Sequence, residues 1–229
     1  RVLRGNLGKW NTSKRWDGPR AFSNYALRDT MRLIARAFDP HTSQLELVQI
    51  KLADSLSSRS LTGILQEQVD GYFDVDGHLS HDHHTKQWVY TYNYRNSFRV
   101  LDPELKLMYT GHTLDTIARA QLRIDSISKP RQHKLTGSVL VNAGTYSHKA
   151  LLYVHSKVKG RYEPAKTWER TETIDVYSLE DGSYRSSFYV YPEEDQRLTH
   201  FFVSDKRFYG FAGNHLVVYD LNLLLNVTH

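Results

Sequence analysis

The chain contains no cysteine, which removes disulfides, thiolate metal sites and cysteine nucleophiles together. No stretch approaches the roughly 18 consecutive apolar residues that a membrane-crossing helix needs. The most apolar run, Leu221 to Leu225, is short and broken by Asn222. There is no Gly-x-Ser-x-Gly elbow and no glycine-rich phosphate loop, so neither serine-hydrolase nor nucleotide chemistry has a sequence signature. What remains is a chain of 229 residues, 40% hydrophobic and 24% charged, long enough to bury a sizeable core. It begins at Arg1 with neither a methionine nor an apolar export segment, from which the expectation is that any signal peptide or lipid anchor lies upstream.

The net charge is +5, and its distribution matters more than its size. Nine basic residues lie between Arg1 and Arg36 against Asp17 and Asp29, leaving 21 basic and 23 acidic residues in the remainder. Trp10 and Trp16 interleave with those charges, a pattern that could stack bases and neutralise phosphates. No nucleic-acid motif follows, so a solvated segment is the better reading and no nucleic acid is expected as a partner.

The strongest internal signal is a repeat. VQIKLAD, FRVLDPE, IDVYSLE and LVVYDLN each carry an apolar pair two residues apart: Val48/Ile50, Phe98/Val100, Ile174/Val176 and Leu216/Val218. Such alternation marks half-buried strands, and each pair is expected to be buried between sheets. The second members are 50, 76 and 42 residues apart, and a propeller blade takes roughly 40 to 50. The longest interval then holds an insertion, placed in the loop-like tract KVKGRYEPAKTWERTE from Lys157 to Glu172. The expected fold is all-β, a β-propeller of four-stranded antiparallel blades, with about four blades at 20–66, 67–127, 128–192 and 193–229 in a single domain. Expected strands are 71–79, 86–94, 97–101 and 105–109, then 137–142, 149–155, 173–177 and 184–190, then 198–203, 207–211 and 214–219. Turn pairs Ser204-Asp205 and Ala212-Gly213 join the last three, and His112 to Ile124 is the only helix candidate.

QVDG at Gln68 to Gly71, Asp76-Gly77, VYTYNYRNSF at Val89 to Phe98, TLDT at Thr113 to Thr116 and IDVYSLEDGSYRSSFYV at Ile174 to Val190 recur in one order. From about Ala21 onward the chain resembles an uncharacterised family of bacterial six-bladed, TolB-like propeller proteins. The resemblance implies an exported, periplasmic or cell-surface protein, often a lipoprotein, with further blades upstream. This chain would then match the C-terminal two-thirds of a six-bladed ring. No activity or catalytic residue comes with the resemblance. Missing blades, or an oligomer that covers the open side, would complete such a partial ring.

Candidate sites are few. His81 and His83, in GHLSHDHH, fall on one face if strand geometry persists and are weak metal candidates, against the plainer reading of a solvated turn. Asp74-Val75-Asp76-Gly77 imitates a calcium loop, but its glycine comes too early and no acid closes it, so a β-turn is expected. Tyr94, Arg95 and Asn96 suit a tight two-residue hairpin with Asn at positive φ, with anion or sugar binding as the lesser reading. Tyr162 and Trp168 in the Lys157–Glu172 tract are aromatic anchors for a protein or glycan. The sequons Asn11-Thr12-Ser13 and Asn226-Val227-Thr228 are short enough to arise by chance. The expectation is a non-catalytic recognition or scaffold propeller with no cofactor. The alternative is a hydrolase or lyase acting on carbohydrate or peptide in a central channel, against which stands the lack of a catalytic pattern.

Overall fold

The computed structural model describes residues 2–6, 8–9, 11–16, 22–53, 56–126, 133–192 and 196–222. Trp10, the side chain of Trp16 and the sequon at Asn226 lie outside the described residues. Two compact units are formed, Arg1–Gln66 and Glu67–His229.

In the first unit, β1 (Val2–Asn6) and β2 (Asn11–Trp16) make a two-stranded hairpin. β3 (Phe22–Asp29), β4 (Arg32–Asp39), β5 (Gln44–Leu52) and β6 (Leu56–Ser60) form an antiparallel meander in chain order. Leu33, Ala35 and Ala37 on β4 meet Val48, Ile50 and Leu52 on β5 in one apolar cluster. Alternation at period two places them on a single face.

The second unit begins with β7 (Gly77–His81), β8 (Trp88–Tyr92), β9 (Ser97–Leu101) and β10 (Leu107–His112), again a sequential meander. A hairpin of β11 (Leu122–Ser126) and β12 (His133–Ser138) follows. Next come β13 (Asn142–His148), β14 (Leu151–Ser156), the one-turn helix α1 (Ala165–Arg170), β15 (Glu172–Ser178) and β16 (Tyr184–Val190). The last sheet has three strands, β17 (Leu198–Ser204), β18 (Arg207–Ala212) and β19 (His215–Asp220). These sheets are propeller-type blades, and the fold is all-β with strands dominating.

The sheets of this unit stack face to face. Val89, Phe98 and Val100 of the β7–β10 sheet pack on Leu152, Val154, Tyr177 and Leu179 of the β13–β16 sheet. The opposite face of that middle sheet, with Tyr153, Ile174, Val176, Phe188 and Val190, packs on Phe201, Val203 and Phe208 of the third. Being covered on both faces, β15 is buried at every position, as a sandwiched strand must be. The first strands run side by side, β7 next to β13 and β13 next to β17. A hydrogen bond of 2.5 Å between Ser80 Oγ and Ser147 Oγ joins the first two. Among the described residues no helix is long and apolar enough to cross a membrane.

The structure corrects several sequence expectations. His112 to Ile124 is not helical; it leaves β10 and enters β11. Gly137 to Asn142 is not the first strand of its blade, because that strand runs from Asn142 to His148, after β12 has ended at Ser138. α1 lies inside the tract expected to be loop. The final turns sit one residue later than expected, at Asp205-Lys206 and Gly213-Asn214. Of the four apolar pairs, Val48/Ile50, Phe98/Val100 and Ile174/Val176 are buried, but Leu216 and Val218 remain 54% and 49% exposed.

Candidate functional site

The segment between β14 and β15 leaves the sheets and returns to them, and its shape follows from local chemistry. Pro164 opens α1, since it needs no N–H there; its carbonyl accepts from Thr167 N and Trp168 N at 3.1 and 3.0 Å. The helix ends after six residues at Thr171, whose backbone is extended and whose hydroxyl donates to the Thr167 carbonyl at 2.8 Å. Glu163 ties the preceding turn together: its carboxylate accepts from Gly160 N at 3.1 Å and from the Thr173 hydroxyl on β15 at 3.3 Å. Lys159 Nζ donates to the Glu163 carbonyl.

Glu172 anchors the base of the segment. It is 2% exposed, and its carboxylate meets His155 Nε2 at 2.7 Å, Lys157 Nζ at 2.5 Å and Arg197 Nη1 at 3.3 Å. Burial disfavours its charge, but hydrogen bonds from His155 and Lys157 outweigh that and hold the group down at about 2. The His155 pKa is lowered by burial despite its acidic partner. The contact is therefore a neutral imidazole donating to a carboxylate. Arg197 also donates to the Glu169 carbonyl on α1 at 3.3 Å, which links the helix to the start of β17.

On this braced support Tyr162 stands 87% exposed, with the Arg161 guanidinium 5.5 Å from its ring centroid. Trp168 is half-buried on α1. The structure thus brings both expected anchors onto one segment, and only Tyr162 projects fully into solvent.

The other sequence-derived residues are placed differently. The β8–β9 connection is a four-residue link, Asn93 to Asn96, with no positive φ at Asn96, rather than a tight two-residue turn. Arg95 is buried, its guanidinium 3.6 Å from the Tyr92 ring centroid and 3.9 Å from Asp74 Oδ2. Asn96 is also buried and donates through Nδ2 to the Asp115 carbonyl at 2.7 Å. Both side chains therefore face protein, leaving Tyr94 half-buried beside them. Asp74 accepts from the backbone N–H groups of Gln68, Asp70 and Gly71, so this calcium-like loop uses its carboxylate to close its own turn.

His81 and His83 do adjoin, with ring centroids 4.6 Å apart and edge to face, while His81 stacks on Trp88 at 4.0 Å. The organiser of this turn is the buried Asp82, which the sequence offered only as one member of the histidine-rich stretch. It accepts from His84 N at 2.8 Å, Thr85 N at 3.3 Å and, from the next blade, Ala150 N at 2.6 Å. Among the described residues no three His, Cys, Asp or Glu side chains are grouped to hold a metal ion.

A second polar cluster, also missed from sequence, lies where the first two stacked blades meet. Asp175 on β15 is buried, and the Ser187 hydroxyl donates to it at 2.5 Å. Burial raises its pKa, helped by the nearby Glu163 and Asp115 carboxylates. Asp115 itself accepts from the Thr113 hydroxyl and Ile117 N, and the Tyr177 hydroxyl accepts from Leu114 N. Asp115 is engaged by its own turn and Asp175 by the neighbouring strand β16, and the Leu114–Tyr177 bond ties the segment after β10 to the middle blade.

No protein-family model matches the chain, and no curated protein matches it. Among solved structures, it is similar to the β-propeller domain of Cps50 (Swd1) from Myceliophteria thermophila, at 6% identity over 93% of this chain and 74% of that chain, with a TM-score of 0.42.

Proposed function

We propose that this chain is a non-catalytic recognition or scaffold propeller, with the Lys157–Glu172 segment as its contact surface for a protein or glycan partner. The observation that carries the reading is Tyr162, 87% exposed on a segment pinned by Glu163 and Glu172. An exposed aromatic on a pre-ordered support loses little conformational entropy on binding, which is how contact anchors gain affinity. All-β blades that present ordered loops at their ends are consistent with a protein-binding scaffold.

The sequence resemblance supports a finer reading: a six-bladed, TolB-like bacterial protein, exported and held at the periplasm or cell surface by a lipid anchor. A photo-crosslinking residue at position 162, compared with one at the exposed Leu107 of β10, tests the contact surface. Adducts to one defined protein from position 162 alone support the reading. Equal labelling from both positions, together with no glycan retained on an array, would sink it.

A further inference from the structure

The bare pair Leu216/Val218 has counterparts that show what such a pair does. Phe98/Val100 and Ile174/Val176 also lie on third strands of their sheets, β9 and β15, and in each case the pair packs on the next sheet along the chain. On β19 the opposite side, with Val217 and Tyr219, packs inward against the middle blade, so Leu216 and Val218 point away from it.

Register extends the bare face across the sheet. Leu216 pairs with Phe211, which pairs with His200; Val218 pairs with Tyr209, which pairs with Phe202. The Phe202 and Tyr209 rings stack at 4.8 Å and 7°, and Phe211 is 41% exposed. A third row, Asp220, Arg207 and Ser204, is polar. Five contiguous, partly exposed apolar side chains, with His200 at the end of the first row, mark an interaction surface rather than scattered surface hydrophobics.

We propose that this face packs against the same face of a second copy of this chain, giving a dimer of β17–β19 sheets. The mode of contact is one the molecule already uses twice, sheet face on sheet face. Charge permits it, since the only charged residues in the three rows, Arg207 and Asp220, are of opposite sign and cancel. Area sets its strength. Five partly exposed apolar side chains plus the polar row offer about 500 to 600 Å² per copy, hence about 1,000 to 1,200 Å² in all, the lower end for a specific interface. The dimer is therefore weak and concentration-dependent. It rests on the sheet face alone and is independent of the Tyr162 surface.

Sedimentation velocity of the 229-residue chain from about 1 to 300 μM tests this by mass action. Monomer should give way to dimer across the range. Leu216→Lys with Val218→Lys, both at outward positions, should raise the dissociation constant at least about tenfold, whereas Leu216→Met with Val218→Ile should leave it within about threefold. Arg207→Glu, which touches no core residue and leaves two like charges on each face, should weaken the dimer about fivefold and make it salt-dependent. Monomer at every concentration overturns the proposal. A dimer that survives both the lysine pair and Arg207→Glu overturns it equally, because it would use another surface.

Discussion

Glu172 shows how much one buried side chain can organise. Its charge is held by three hydrogen bonds, from His155, Lys157 and Arg197, and replacing it with Gln leaves these groups facing a neutral amide. We expect Glu172→Gln to cost about 3 kcal/mol at pH 7, read from urea unfolding. The pH dependence has a definite sign. The folded state keeps Glu172 ionised down to about 2, while an unfolded chain takes up that proton near its ordinary value of 4.5. Its contribution is thus complete above about pH 5 and is lost as pH falls towards 2. The stability difference between wild type and Glu172→Gln should shrink over that window. A difference that stays constant from pH 6 to pH 3 would contradict this account. His155, lowered by burial, adds a further acid-side loss that begins near 6.5, because unfolding frees it to protonate. Tyr162, by contrast, is 87% exposed beside the Arg161 guanidinium; Tyr162→Ala should change stability by less than about 0.5 kcal/mol and act only on binding.

Turns and hairpins set the next scale. The β13–β14 hairpin turns through Lys149 and Ala150 at φ of 50° and 63°, a left-handed pair that normally calls for Asn-Gly. What holds it is external: Asp82 accepts from Ala150 N, and the Ala150 carbonyl accepts from Leu179 N at 2.8 Å. Introducing Lys149→Asn with Ala150→Gly should therefore raise stability by about 1 kcal/mol. Asp82→Ala should lower it by about 2 kcal/mol by leaving three N–H groups without an acceptor. Thermal melts of the two variants should move in opposite directions. At Gly111 on β10 the constraint is space. A Cβ there would lie 2.2 Å from the Phe98 ring, and Phe98 is wholly buried, so Gly111→Ala should destabilise by about 2 kcal/mol. Proline governs α1 in the same local way, which is why a helix of one turn appears in a tract whose Gly, Pro and charges read as loop.

At the scale of the whole molecule, the apolar pairs distinguish covered from uncovered sheets. Ile174→Ala with Val176→Ala, in a core closed on both sides, should cost about 3 to 5 kcal/mol. The same truncation at Leu216 and Val218 should cost less than about 1 kcal/mol in dilute monomer, although the two pairs look alike in sequence. Denaturant titrations at low concentration would show whether that contrast holds. Alternation and spacing by themselves placed β8, β9, β10 and the strands of the β17–β19 sheet to within a few residues, because period-two burial is a local property of extended chain. By contrast, β7 starts at Gly77, six residues later than expected, after the turns that Asp70 and Asp74 close. Composition excluded cysteine chemistry, and the Gly, Pro and charges around Tyr162 marked it as an exposed loop aromatic. Only the tertiary structure decided that Arg95 and Asn96 face protein, that Asp82, Glu172 and Asp175 each organise a junction, and that the fourth apolar pair is bare. Long-range partners for these groups lie 12 to 68 positions away, from Ser187 on Asp175 to Ala150 on Asp82. Burial of a side chain depends on which sheet arrives to cover it, and no local pattern records that.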